Sequence, residues 1–224
     1  MIKQICPMGA IQMVPTQSGI VYAVKQEVNG YEDVMRVAYR MFNCDSGETS
    51  VVTRNVFLLS KFGNNFTRFE SSPRDFLDYK AINLPDRSVM MVDRDGKVEV
   101  VNYDGSARWK GDLCFKCVKP HSLFATENGI WVSYRESGVV VRYSCKTFRP
   151  EIRIGGAGEL PSPEGIWADE TRVLVCTAGN NSITEINPET FEINVHQKFN
   201  QTPHDYVKIG ANEIVLVDSG IYRL

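Results

Sequence analysis

An all-β fold, a β-propeller of about five four-stranded blades, is what this 224-residue sequence predicts. Three observations carry the prediction. Short apolar runs rich in β-branched residues alternate with turn residues along the chain. A unit of roughly forty residues recurs in tandem. The final unit is one strand short, while an orphan run, residues 1–6, precedes the first.

The first unit, residues 7–64, opens at Pro7-Met8-Gly9-Ala10-Ile11 and continues through runs at 19–25, 34–42 and 51–59. It is the most divergent, and two irregular units hidden within 7–75 would make six blades. The second, 65–117, has runs at 76–82, 88–92, 97–103 and 107–113. Its turns, Asp93-Arg94-Asp95-Gly96 and Asp104-Gly105, place Asp-Gly or its like between apolar runs, a strong hairpin signal. The third, 118–160, opens Pro120-His121-Ser122 and carries runs at 129–134, 139–143 and 148–154. The fourth, 161–200, is the clearest. It opens Ser162-Pro163-Glu164-Gly165-Ile166-Trp167-Ala168-Asp169, followed by runs at 172–176, 182–187 and 191–195. The fifth, 201–224, opens Thr202-Pro203-His204-Asp205 and stops after three strands.

The opening prolines, Pro7, Pro73, Pro120, Pro163 and Pro203, are 66, 47, 43 and 40 residues apart. A four-stranded meander of this length cannot cover its own apolar faces, so neighbours must stack around an axis. Pairing residues 1–6 with the short last unit closes the ring and removes two exposed sheet edges.

Composition narrows the function. Hydrophobic residues make up 43% and charged residues 23%, and 25 Lys and Arg stand against 27 Asp and Glu. No basic surface is indicated, which argues against nucleic acid or an anionic membrane as partner. No apolar stretch approaches a membrane span, and residues 1–6 are too short to form a signal peptide. The expectation is a cytoplasmic monomer whose partner is a small molecule or a protein at the channel face. Of the six cysteines, only Cys114 and Cys117 are spaced as CxxC, with no second pair to complete a zinc site. All six are expected to be free, buried thiols. Gly155-Gly156-Ala157-Gly158 lacks the Lys and the helix of a phosphate loop. The Asp93–Gly96 turn lacks the distal Glu of a calcium loop.

The string Pro163-Glu164-Gly165-Ile166-Trp167-Ala168-Asp169, followed by a hairpin, resembles the repeat of NHL-type and SMP-30/gluconolactonase-like propellers. It is also similar to the streptogramin lyase repeat, and the resemblance is closest over 118–224. In such propellers the opening strand of each blade lines the channel, so the residue after each opening proline reaches one mouth. Here those positions are Met8, Arg74, His121, Glu164 and His204.

Two imidazoles and a carboxylate, His121, Glu164 and His204, are a set able to hold zinc, calcium or manganese, or to move protons near neutral pH. Arg74 is a candidate clamp for a carboxylate or phosphate. The SMP-30 resemblance implies a metal-ligand role for Glu164. The lyase resemblance implies a functional role for His121 or His204. Three readings follow: a binding propeller with its site at the mouth, a metal-assisted lyase or lactone hydrolase, and a mouth lined by polar groups that only meet water. His196, on an outer strand, is expected at the surface. Trp131 and Trp167 are expected in packing, and Trp109 exposed on an outer strand.

Overall fold

The computed structural model describes residues 3–6, 10–15, 18–28, 31–51, 56–59, 66–71, 79–93, 95–102 and 104–224. Five four-stranded antiparallel sheets account for most of them. The first blade is β2 (Ala10–Pro15), β3 (Gly19–Val28), β4 (Tyr31–Asn43) and β5 (Thr49–Val51). The next is β8 (Tyr79–Asn83), β9 (Val89–Asp93), β10 (Lys97–Val101) and β11 (Ala107–Asp112). It is followed by β12 (Ser122–Thr126), β13 (Gly129–Tyr134), β14 (Val139–Tyr143) and β15 (Pro150–Gly155). Then come β16 (Pro163–Ala168), β17 (Val173–Thr177), β18 (Ser182–Ile186) and β19 (Ile193–Lys198).

The last blade is built from both ends of the chain. β20 (Pro203–Ile209), β21 (Asn212–Val217) and β22 (Gly220–Arg223) are completed by β1 (Lys3–Cys6), which pairs antiparallel with β22. The expected closure is present.

The divergent part differs in detail from expectation. The run at 51–59 is not one strand: β5 ends at Val51, and a separate strand β6 (Val56–Leu59) pairs with β7 (Phe66–Ser71) in a two-stranded sheet. This hairpin lies between the first and second four-stranded blades in chain order and packs on β8. The expected unit boundary at 64/65 falls inside it.

First strands of successive blades are neighbours, β8 with β12, β12 with β16, β16 with β20 and β20 with β2, so they surround a common axis. Buried residues form clusters that each span two adjacent blades. Phe124, Trp131, Val140 and Ile154 of one pack against Ile166, Val173, Val175 and Ile186 of the next. Leu174, Cys176 and Ile183 meet Tyr206, Val215 and Val217. Met13, Ile20, Tyr22 and Phe42 meet Val207, Ile214, Leu216, Ile221 and Cys6 of the closing strand. Each fully buried aliphatic or aromatic side chain contributes roughly 1.5–3 kcal/mol, so the stability lies between blades more than within them.

Trp131 is buried and Trp167 is packed into two clusters, as expected. Trp109 is not fully exposed: it stacks on Phe148 of the neighbouring blade at 4.7 Å. His196 is partly covered, with Nδ1 3.2 Å from Glu185 and Nε2 4.0 Å from Glu213 of the adjacent blade. None of the six cysteines is in a disulfide, but only Cys6, Cys44 and Cys176 are buried, while Cys117 is exposed. Lys116 and Cys117 both take positive φ in a turn closed by Phe115 and Val118, which turns that thiol outward. Burial pushes the Cys114 thiol up to about 11, with Asp112 adding to it, so it remains a thiol at neutral pH. The Asp93 carboxylate accepts the backbone N–H groups of Asp95 and Lys97, a turn-forming role.

Among the described residues, no helix is long and apolar enough to cross a membrane.

Removing residues 1–6 would expose the edge of β22 and uncover the cluster around Cys6. The expected outcome is a lower midpoint of urea unfolding and concentration-dependent association, with both reversed by adding the six-residue peptide. Unfolding curves and light scattering check this.

Candidate functional site

Strand direction sets where functional side chains gather. The first strand of each blade starts at one face, and the turn joining its second and third strands returns to that face. The residues after the opening prolines and after each second strand therefore share one mouth of the channel.

Three first strands carry a bulge near their start. β16 gains one residue between Pro163 and Ile166, β20 between Pro203 and Asp205, and β2 between Ala10 and Gln12. A bulge bends the strand and redirects a side chain. Two of them fall on Glu164 and His204.

Gly165 completes the bulge in β16. A Cβ placed there would stand 2.5 Å from Asp205 Cα and 2.8 Å from the His204 carbonyl oxygen. The glycine of the repeat thus marks a close approach of two neighbouring inner strands. The opposite side is held by Ser133, whose hydroxyl donates to the Glu164 carbonyl at 2.5 Å.

These contacts seat Glu164 in the wall, its side chain 3% exposed, with partners from both neighbouring blades. Oε2 lies 2.7 Å from His204 Nδ1, and Oε1 lies 3.1 Å from Arg135 Nε. The other ring nitrogen of His204, Nε2, is 2.7 Å from Asp218 Oδ1. An ionised carboxylate only accepts hydrogen bonds, so both imidazole nitrogens must donate, and His204 is an imidazolium.

Its hydrogen bond to Glu164 lifts the His204 pKa to about 9; burial works against this and Asp218 adds to it. For Glu164, burial pushes the pKa upward, but the hydrogen bond from His204 and the nearby charges of His121, His204 and Arg135 outweigh it, and the net shift is down. Asp218 is also held low, chiefly by His204.

Sequence reasoning placed His121, Glu164 and His204 at one mouth. The structure joins Glu164 directly to His204, and His121 lies close enough for its charge to act on Glu164. The His121 backbone N–H donates to the Ser133 carbonyl at 2.8 Å. Met8 and Arg74 lie outside the described residues. Arg135 and Asp218 were not anticipated. Each directly follows a second strand, β13 and β21, and that shared position is the signal that would have found them.

The donor set does not fit the divalent metal implied by the resemblance. His204 commits both nitrogens to carboxylates, and Glu164 is bracketed by two cations. Among the described residues, no group of three His, Cys, Asp or Glu side chains is arranged to hold a metal ion. What the arrangement offers is a neutralised buried carboxylate carrying two partly exposed cations, Arg135 and His204, with side chains 54% and 37% exposed.

Closed stacking of four-stranded sheets around first strands defines the class: a β-propeller. No family model matches the chain, and no curated protein matches its sequence. Solved structures match it in shape. A streptogramin B lyase aligns over 100% of this chain and 96% of its own, with a TM-score of 0.57 and 11% identity. Virginiamycin B lyase from Staphylococcus aureus aligns over 96% of this chain and 81% of its own, with a TM-score of 0.59 and 12% identity. A catalytically inactive histidine-to-alanine variant of virginiamycin B lyase, solved with quinupristin, aligns over 99% and 87%, with a TM-score of 0.53 and 12% identity. At such identities the likeness is one of fold.

Two predictions follow from the geometry. Gly165→Ala forces the β20 backbone to move and is expected to cost about 1–3 kcal/mol, read from chemical denaturation. The His204 pKa is raised above its unfolded value, so its contribution to stability is complete below about pH 6.5. That contribution fades as pH rises through about 9. The stability gap between the native protein and His204→Ala should therefore narrow from pH 6.5 to pH 10, measured by urea unfolding across that range.

Proposed function

We propose that the protein is a ligand-binding propeller whose site is the channel mouth around Glu164, His204, Arg135 and His121. The observation that carries this is the buried Glu164 carboxylate, bridged to cations from two neighbouring blades. Burying an ion pair is expensive, and well-packed apolar groups in its place are often as stable or more so. Blade stacking, supplied here by apolar clusters, does not require a charge at that point. The part-exposed donors it orients are suited to meeting a ligand entering the channel, and residues from separate blades converging on one opening suit a small-molecule site. The partner is a small molecule or a protein group reaching into the mouth, and the near-neutral charge balance gives nucleic acid no support.

A second reading is a histidine-dependent lyase. It is supported by His204 standing between two carboxylates, and by the inactivity of the histidine-to-alanine variant of the virginiamycin B lyase whose fold this chain shares. As an imidazolium, His204 would serve as a general acid in such a reaction.

The two readings separate experimentally. Native mass spectrometry of protein isolated gently from cell extract is expected to show a retained small molecule. Glu164→Gln and His204→Ala should each abolish it, while Phe191→Ala, on the far surface, should not. Incubation with quinupristin distinguishes the lyase reading: a binding protein leaves its chromatographic profile unchanged, and a lyase converts it in a His204-dependent manner. Absence of any retained molecule together with unchanged quinupristin would count against both.

A further inference from the structure

Arg135 is more than a counter-ion for Glu164. It directly follows β13, at the start of the turn to β14, and its side chain is 54% exposed. Its Nε lies 3.1 Å from Glu164 Oε1, an ion-pair contact without hydrogen-bond alignment, and no other residue pairs with its guanidinium among the described residues. No hydrogen bond to the two terminal nitrogens is found among the described residues, which leaves them as a fork at the mouth. The acid beside the guanidinium is 3% exposed and its backbone is anchored through Ser133, so a fixed buried charge holds Arg135 at the mouth.

The neighbouring cation shows what such a donor takes at this mouth. The outward nitrogen of His204 already holds a carboxylate, the 57% exposed Asp218, at 2.7 Å. That carboxylate is itself fixed, its other oxygen accepting the Thr202 backbone N–H at 3.1 Å. His204 is therefore satisfied from within the chain, whereas the Arg135 fork is left for something from outside. Glu164 and Asp218 are both engaged by His204, which weakens their repulsion of an anion approaching Arg135, while Glu136 beside it in the turn is exposed to solvent and screened there.

Resting on the reading of the mouth as a ligand site, we infer that the group it recognises is an oxyanion, a carboxylate or a phosphate, held in two-point fashion by the terminal nitrogens of Arg135. A planar fork matches either oxyanion with two parallel hydrogen bonds, which a lysine cannot reproduce. Arg135 is a ligand-positioning residue in this arrangement, and Glu164 is the support that orients it.

The test uses the full chain and four probes: succinate, inorganic phosphate, uncharged succinamide and 1,4-diaminobutane. Amide chemical shifts of Arg135, Ser137, His204 and Asp218 are followed by NMR at fixed ionic strength. The expected result is saturable movement with succinate or phosphate only, weakened at least about tenfold in both Arg135→Lys and Arg135→Gln. Response to succinate alone identifies a carboxylate ligand, and response to phosphate alone a phosphate ligand. Arg135→Lys keeps a cation beside the buried Glu164 and should keep the native spectrum elsewhere, so it carries the comparison if Arg135→Gln, which leaves that carboxylate one partner short, loses stability. Binding of succinamide or diaminobutane at the mouth, without either anion, would overturn the oxyanion class while leaving the ligand-binding reading intact. Anion binding indifferent to both Arg135 variants would also overturn it. Silence of all four probes would overturn it too, and the binding reading would then be decided by the retained-molecule measurement alone.

Discussion

Everything in this molecule depends on the inability of one blade to cover its own faces. A four-stranded antiparallel sheet has two sides and two edges, and here apolar clusters join the blade of β8–β11 to that of β12–β15, and each later blade to the next, as far as β2–β5. The pairing of β1 with β22 makes the last blade from the two ends of the chain. Separating the ends therefore disturbs a sheet, an edge and the Cys6 cluster at once, and long-range contacts of this kind fold late because their loop-closure cost comes first.

Stacking also brings first strands together, and that proximity generates the site. Glu164 is buried because β16 runs between β12 and β20, not because its own blade encloses it. Its oxygens each face one residue, Oε2 hydrogen-bonded to His204 of the following blade and Oε1 ion-paired with Arg135 of the preceding one. The ionic bridge consequently reports on the alignment of three blades. A shift of any one would leave a buried carboxylate short of a partner, a state that costs several kcal/mol.

Much of the fold was legible from residues 118–224 because there the repeat writes the same turn chemistry in the same register. Pro163-Glu164-Gly165 and Pro203-His204-Asp205 both open first strands with one extra residue. Ser137-Gly138 and Asp218-Ser219-Gly220 both mark the return from the second strand. Before residue 79 the pattern is obscured. β3 and β4 are 10 and 13 residues long, and Val51 and Val56–Leu59, read as one run across the polar Thr53-Arg54-Asn55, belong to different sheets. For the site, the opening positions were legible because they recur. Arg135 and Asp218 were not, because a charged residue in a tight turn is ordinarily solvated and only the three-dimensional return of the turn to the mouth makes it significant. Trp109 was misplaced for a related reason: an outer strand looks exposed until the neighbouring blade lays Phe148 across it.

The bulges at the start of β2, β16 and β20 have a consequence for how such a protein changes over time. A residue on a bulge sits outside the regular in–out alternation of its strand, so exchanging it need not alter the apolar face that locks blade to blade. Each of these three blades thereby offers a position near the start of its first strand that is separate from its scaffold, though Glu164 is tied to both neighbours by its ion pairs. Gly165 is the exception, fixed by the backbone it touches. New ligand preferences could then arise by single replacements around the opening, with the ring beneath them left as it was.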